Sequence, residues 1–125
     1  MISEPHESVR QMLERLVMRL GHEAVALDAQ PTPAQLRSAD VLLVEPASSG
    51  VSLARTARAA NPSVAIVCAG VALAPAEMTQ LEPNLAGTVT KPFTPEQLDA
   101  AIQQALAHRD RLSANSPGAA VRRAA

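Results

Sequence analysis

The stretch from Asp40 to Pro46 constrains the fold more than any other part of the sequence. Four consecutive aliphatic residues, Val41 to Val44, stand between two acids, and the proline ends the run. A short all-apolar run bounded by chain-breaking residues is typical of a strand buried on both faces, as in the middle of a parallel sheet. Ligands and chemistry gather beyond the carboxyl ends of such strands. Glu45, at that end of the strand, is therefore the first candidate for a functional residue.

Strand-like and helix-like segments alternate along the rest of the chain. Besides the run that ends at Glu45, the strand candidates are Met1–Ser3 (the end of a first strand), Ala24–Leu27, Val64–Cys68 and Gly87–Thr90. Amphipathic spacing, N-capping residues and breakers predict helices between them. These helices are Val9–Leu20, Pro33–Ser38, Ser52–Ala60, a short one from Pro75, and Pro95–Leu112. The alternation predicts an α/β domain in which helices cover both faces of a parallel sheet.

The length of the chain suits one domain. A chain of 125 residues supports a single core with little room for a second. Residues 1–110 are predicted to form this domain. The final run SANSPGAAVRRAA has no apolar periodicity, so residues 111–125 are predicted to be a disordered tail.

The composition argues against several classes of partner. The net charge of −1 and the single aromatic residue, Phe93, provide neither a basic footprint for nucleic acid or an anionic membrane nor stacking on bases. No apolar run approaches the length of a membrane span, and the charged amino-terminal residues do not match a signal peptide. The single Cys68 cannot form an internal disulfide, which favours a reducing compartment. We therefore predict a cytoplasmic protein with no nucleic-acid or membrane partner.

Four motifs in a fixed order resemble the receiver (response-regulator) domain of two-component signalling, from Ile2 to about His108. The most specific is TKPF at residues 90–93 before a capped helix, which is similar to the lysine, the cis-proline and the last-helix start of a receiver. VRQMLERLVMRLGHEAVAL is similar to the first helix and second strand, DVLLVEP to the strand that ends in the phosphoacceptor, and VAIVCAG to the strand that ends in the switch hydroxyl. The resemblance implies a CheY-like, flavodoxin-like doubly wound sheet of five parallel strands in the order 2-1-3-4-5, with helices on both faces.

The receiver's site, carried over position by position, departs from the family's pattern at most positions. Lys91 keeps the family's residue. The departing positions are Glu45 for the phosphoacceptor aspartate, Glu4 and Pro5 for the metal-binding acidic pair, Cys68 for the switch Thr or Ser, and Thr88 for the switch aromatic of the last strand. The resemblance is therefore to an atypical, degenerate member, a pseudo-receiver.

These departures weaken phosphoryl chemistry. Mg²⁺ requires near-octahedral oxygen ligands, and Pro5 removes one acid of the pair. Glu45 is one methylene longer than aspartate, and a misplacement of ~1 Å can cost roughly a hundredfold in rate. We expect no phosphorylation by the usual route, no enzymatic activity and no cofactor, with Mg²⁺ at the remnants Glu4 and Glu45 as the alternative. The same extra methylene places a fixed negative charge within reach of Lys91, so a permanent pair could hold one signalling state.

Simpler interpretations stand beside these. Glu45 could be a solvated acid at a strand end, and Glu4 an exposed acid that favours a helix start. Cys68 is interpreted first as a small buried core residue. The histidines, His6, His22 and His108, have no ligand spacing and are interpreted as solvated side chains.

Three hypotheses for function follow. The first is a stand-alone atypical receiver that acts by protein–protein contact with a histidine kinase or a downstream signalling protein, or as a homodimer. Its docking surface would be Met78–Leu81, Gly87–Thr90 and the last helix. The second is a phosphorylatable receiver with a degenerate Mg²⁺ site. The third is a flavodoxin-like module that binds a small ligand, although the chain lacks a Gly-rich phosphate loop.

Overall fold

The computed structural model describes residues 1–27, 30–46, 49–71 and 75–114. Strands and helices alternate through these ranges as the sequence predicts, except that two helices follow one another on either side of the predicted strand Ala24–Leu27. In chain order they are β1 (Ile2–Ser3), α1 (Glu7–Arg19), α2 (Pro33–Ser38), β2 (Val41–Val44), α3 (Gly50–Ala60), β3 (Ala65–Gly70), α4 (Pro75–Thr79), β4 (Leu85–Thr90) and α5 (Pro95–Ala114).

The strands form one parallel sheet in the order β1-β2-β3-β4. The predicted strand Ala24–Leu27 lies beyond β1, where the order 2-1-3-4-5 places it, but it makes only an isolated parallel bridge between Ile2 and Ala26. The described residues therefore form a sheet of four strands rather than five.

The shortness of β1 explains the missing strand. Backbone groups of a strand alternate between its two neighbours, and the carbonyls of Met1 and Ser3 accept hydrogen bonds from Leu43 and Glu45 on the β2 side. Ile2 faces the outer segment, with its N–H donating to the Val25 carbonyl and its carbonyl accepting from the Leu27 N–H. The single residue Ile2 can form only an isolated bridge with the segment Ala24–Leu27, whereas a continuous ladder of hydrogen bonds would need a longer β1.

The sheet is buried on both faces, as the aliphatic runs predict. Side chains of successive strand residues point to opposite faces, so Leu43 and Val67 pack with α1 and α5, whereas Leu42 and Ile66 pack with α2 and α3. All six residues of β3 are buried. Because the strands are also parallel, their carboxyl ends lie at one edge of the sheet, between the two helical layers.

Local capping signals position the helices. Thr32 and Gln35 form a reciprocal capping box at the start of α2, and Thr94 and Gln97 exchange the same pair of bonds before α5. Gly21 ends the turn after α1 with a φ of 91°, a conformation that costs glycine little. These ends match the residues that the sequence singles out.

Two predicted elements were shorter than the observed ones. β4 begins at Leu85 rather than Gly87, and α5 continues to Ala114, four residues beyond the predicted domain end at residue 110. The rest of the predicted tail, residues 115–125, lies outside the described residues. In the part of the chain that the structure describes, no helix is both long and apolar enough to cross a membrane.

Candidate functional site

Three charged residues each follow the carboxyl end of a strand. Glu4 follows β1, Glu45 follows β2, and Lys91 follows β4. Because the strands are parallel, these ends meet at one edge of the sheet, which is where open α/β sheets place their sites. The topology thus brings together residues that lie 87 and 46 positions apart in the sequence.

The Lys91 ammonium group joins two carboxylates. Its Nζ lies 2.5 Å from Glu4 Oε2 and 3.1 Å from Glu45 Oε2. The exposed fractions of the side chains are 2% for Glu4, 12% for Glu45 and 20% for Lys91. Such partial burial makes charge-assisted hydrogen bonds stronger than they are at an open surface. We refer to these three residues as the Glu4–Lys91–Glu45 cluster.

The second oxygen of the Glu4 carboxylate is also occupied. Glu4 Oε1 lies 3.1 Å from His6 Nδ1 and accepts the His6 backbone N–H at 3.4 Å. The His6 side chain is 76% exposed, so the imidazole covers the carboxylate from the solvent side. Arg10 donates to the main-chain carbonyl of Glu4 at 3.1 Å. Glu4 is thus a buried, fully bonded carboxylate, and its interpretation as an exposed acid at a helix start was wrong.

Hydrogen bonding overcomes burial in setting the pKa values of this cluster. Burial by itself raises the pKa of Glu4, but the hydrogen bonds from Lys91 and His6 outweigh it and hold that pKa below its usual value. Burial alone lowers the pKa of Lys91, yet its bonds to Glu4 and Glu45 bring the pKa above the ordinary lysine value. Both directions favour the charged forms at neutral pH.

Cys68 and Thr88 lie on neighbouring strands at paired positions, but in different surroundings. Cys68 is fully buried, and burial followed by the negative charge of Glu45 raises the pKa of its thiol to about 11. Thr88 is exposed. A thiol is a weak hydrogen-bond partner, so Cys68 is a poor substitute for a switch hydroxyl.

The donor set fits a magnesium ion poorly. Glu4 directs its two carboxylate oxygens at Lys91 and at His6, and Pro5 has no side-chain oxygen to contribute. Among residues 1–27, 30–46, 49–71 and 75–114, no three His, Cys, Asp or Glu residues are grouped so as to hold a metal. Mg²⁺ requires several oxygen ligands in octahedral geometry, and a lysine ammonium group at the same carboxylates opposes a dication.

The contact between Glu45 and Lys91 was predicted, whereas two neighbours of the cluster were missed. His6 was interpreted as solvated, although its spacing of two residues from Glu4 permits a local side-chain bond. Gly50 was not singled out as a site residue, yet a Cβ atom at this position would lie 1.7 Å from the Glu45 carbonyl oxygen. The signal for Gly50 was its place six residues after the end of β2, where the start of α3 must pass close to that strand.

The fold is shared with solved receiver domains. No protein-family model and no curated protein matches the sequence. A response regulator receiver domain protein from Clostridium thermocellum superposes with a TM-score of 0.74 at 18% identity, over 89% of this chain and 95% of that chain. Chemotaxis protein CheY4 of Vibrio cholerae matches with a TM-score of 0.71 at 21% identity, over 84% of this chain and 95% of that chain.

A longer protein contains the same fold. NtrX from Brucella abortus, whose structure is a complex with ADP, matches with a TM-score of 0.74 at 14% identity; the match covers 87% of this chain and 26% of that chain. The chain therefore has the fold of CheY-like response-regulator receiver domains, as its motifs predict. The peptide bond between Lys91 and Pro92 is cis, in agreement with the same resemblance.

Proposed function

We propose that this receiver-fold protein is an atypical response regulator in phosphorelay-type signalling. It holds one signalling state through the Glu4–Lys91–Glu45 cluster and acts by protein–protein contact, without accepting a phosphoryl group on Glu45. The observation that carries the proposal is the position of Lys91 Nζ, which bonds both carboxylates at 2.5 Å and 3.1 Å. Lys91 keeps the residue that the resemblance expects at this site, and here a permanent carboxylate at the phosphoacceptor position is its partner.

The charges of the cluster support a permanent state. Glu45 presents its negative charge to Lys91 without any modification, so the ion pair does not depend on a kinase. Phosphoryl transfer depends on positioning and on neutralisation of charge, usually with a metal ion. With Pro5 in the acidic pair and Glu4 already bonded to His6 and Lys91, the means to neutralise an incoming phosphoryl group are reduced.

The residues at the switch positions support the same proposal. A receiver transmits phosphorylation through a hydroxyl on one strand and an aromatic ring on the next, according to the resemblance. Here the buried Cys68 and the exposed Thr88 occupy those positions. Thr88 has no ring to move, and the thiol is a weak partner for a phosphoryl oxygen.

The partners that we propose are proteins of the signalling pathway in the cytoplasm. They would be a histidine kinase or a downstream signalling protein, docked on the surface made by Met78–Leu81, Gly87–Thr90 and α5, or a second copy through the same surface. Leu81 itself is fully buried, so the other residues of these segments would make the contact. β4 is a sheet edge among the described strands, and five of its six residues are half-buried or exposed. On this proposal the protein is a binding module and catalyses no reaction.

Phosphoryl donors test the proposal directly. The chain is incubated with acetyl phosphate and Mg²⁺, and separately with beryllofluoride and Mg²⁺, and is followed by intact mass and by amide NMR. We expect no phosphoryl adduct and no beryllofluoride-dependent shift at Glu45 or Lys91. The matched control is the double variant Pro5→Asp/Glu45→Asp, which restores the family's acids and should gain a beryllofluoride response. A Mg²⁺-dependent adduct on the unmodified chain that Glu45→Gln abolishes would overturn the proposal in favour of a phosphorylatable receiver.

A further inference from the structure

The turn at residues 80–84, which leads into β4, has a hydrogen bond at each of its backbone carbonyls. Main-chain N–H groups donate to two of them, those of Leu81 and Asn84. Side chains from outside the turn donate to the other three, which belong to Gln80, Glu82 and Pro83. Because a turn of this kind has no ladder of its own, these side chains help to fix its shape.

The side chains that reach the turn come from both helical layers. Arg58 of α3 donates from one atom, Nη1, to the Gln80 carbonyl at 2.9 Å and to the Glu82 carbonyl at 2.8 Å. From α5, on the other face of the sheet, His108 Nε2 lies 2.6 Å from the Pro83 carbonyl oxygen. A carbonyl oxygen only accepts, so Nε2 carries the proton. The interpretation of His108 as a solvated side chain was therefore wrong for this nitrogen.

The other nitrogen of His108 is also bonded. Its Nδ1 atom lies 3.3 Å from an Arg111 guanidinium nitrogen, and a guanidinium group only donates hydrogen bonds. Nδ1 is therefore the acceptor in this contact, which leaves Nε2 as the donor to the turn. We refer to Arg58 and His108 together as the Arg58–His108 clamp.

β4 needs anchors at its ends because it is an edge strand. Among the described strands it pairs with β3 alone, and Val89 is the one buried residue of its six. Segments with few buried contacts open more readily than the core of a protein. The clamp holds the turn at the amino end of β4. At the carboxyl end, the Lys91 N–H donates to the Gly70 carbonyl at 2.9 Å, and the Lys91 ammonium group belongs to the Glu4–Lys91–Glu45 cluster.

We propose that Arg58 and His108 are positioning residues for Lys91, which they hold in the cluster by clamping the opposite end of β4. The strand opens as one unit, so loss of the clamp increases the fraction of time that Lys91 spends away from Glu4 and Glu45. This role rests on the proposed function, since it concerns what keeps the cluster in a single state.

The single lysine of the chain makes the test direct. Labelling with ¹⁵N-lysine gives one backbone amide signal, that of Lys91, and its hydrogen–deuterium exchange reports the opening of this end of β4. Arg58→Met removes two bonds to the turn, and Arg55→Met is the matched control because Arg55 is exposed on the same helix. We expect exchange at Lys91 to be at least about fivefold faster in Arg58→Met, which corresponds to the loss of one ordinary hydrogen bond, and unchanged in Arg55→Met.

Two further measurements separate this role from a purely local one. His108→Leu removes the bond from the other helical layer and should also speed exchange at Lys91. The amide of Leu13, a core residue of α1 that is 1% exposed, reports the opening of the whole molecule, and in the unmodified chain Lys91 should exchange faster than Leu13. Far-ultraviolet circular dichroism checks that each variant is folded.

Three results would overturn the proposal. They are exchange at Lys91 in Arg58→Met that matches the Arg55→Met control, acceleration confined to the amides of the turn, and exchange at Lys91 that is no faster than at Leu13 in the unmodified chain. A role of Arg58 limited to the turn predicts the second result. The measurements use no phosphoryl donor, so they can fail while the proposed function stands.

Discussion

Lys91 is the only lysine in a chain whose other ten cations are arginines. Its compact ammonium group bonds two carboxylates that come from different strands. The planar fork of an arginine is suited to one carboxylate in a bidentate pair, so a lysine is the better residue to bridge two acids at one point. At the residue scale, Lys91 is what permits Glu4 to be buried and charged.

Removing the Lys91 charge should destabilise the protein strongly. Lys91→Met removes the Lys91 charge from the Glu4 and Glu45 carboxylates, and breaking a buried pair in this way costs about 3–5 kcal/mol. The free energy of unfolding at pH 7, measured by urea denaturation, reports the loss. The control is Arg109→Ala, which ends an ion pair with the more exposed Asp40 and should cost at most about 1 kcal/mol. A Lys91→Met variant as stable as the Arg109→Ala control would contradict this account.

The position of the site could be predicted from the sequence, whereas its exact bonding could not. Glu45 and Lys91 each follow a recognisable strand, and parallel strands bring their ends together. Glu4 follows a segment of only three residues, which gives too little periodicity to settle its burial. The His6 contact depends on side-chain rotamers, and residue spacing carries little information about these.

At the scale of elements, the feature that limits the site is the approach of α3 to the end of β2. Gly50 is buried at the start of α3, and a Cβ atom built on it would meet the main chain of Glu45. A side chain at this position would push the helix away from the strand that carries Glu45. The glycine therefore sets how closely the second helical layer packs on the sheet beside the cluster.

A methyl group at Gly50 should be costly, and the chain offers a matched comparison. In Gly50→Ala the Cβ would lie 1.7 Å from the Glu45 carbonyl oxygen, and such overpacking costs about 1–3 kcal/mol or more. In Gly87→Ala the nearest atom would be the flexible Gln104 Oε1 at 3.7 Å, so the change should be neutral or stabilising by up to about 1 kcal/mol. Thermal unfolding of the two variants measures the difference. Equal stability of the two would show that α3 can retreat without cost.

Element prediction succeeded where local chemistry and burial pointed the same way. The residues around Thr32 and Thr94 carry their own capping partners, so the starts of α2 and α5 were correct to the residue. The segment Ala24–Leu27 has a strand-like composition, but its strand state depends on hydrogen bonds from β1. The residues Ala24–Leu27 alone do not show that β1 offers this segment the backbone groups of only one residue, Ile2.

At the scale of the whole molecule, the cluster links stability to pH only at the extremes. The pKa of Glu4 is lowered on folding, so its contribution is present above the ordinary glutamate value of about 4.3. It is lost as pH falls through the lowered value. The pKa of Lys91 is raised on folding, so its contribution is present below about 10.4 and is lost as pH rises through the raised value. Between these limits the cluster stays charged and its contribution is constant.

The difference in unfolding free energy between the natural chain and Glu4→Gln should follow this profile. We expect a plateau from about pH 5 to pH 10, a fall toward zero in more acidic solution, and a second fall in strongly alkaline solution. Urea denaturation at a series of pH values measures it, and taking the difference cancels groups that the substitution leaves unchanged. A slope near neutral pH would mean that another group titrates with the cluster.

The burial of Cys68 gives this protein a built-in reporter of its own opening. With a thiol pKa of about 11, only about one molecule in ten thousand carries the reactive thiolate at pH 7. The fully buried sulfur also excludes a reagent, so alkylation proceeds through states in which β3 has left the sheet. Since this is the only cysteine of the chain, the rate at which the protein gains one label, divided by the rate for a free thiol, measures the fraction of time that its most buried strand is accessible.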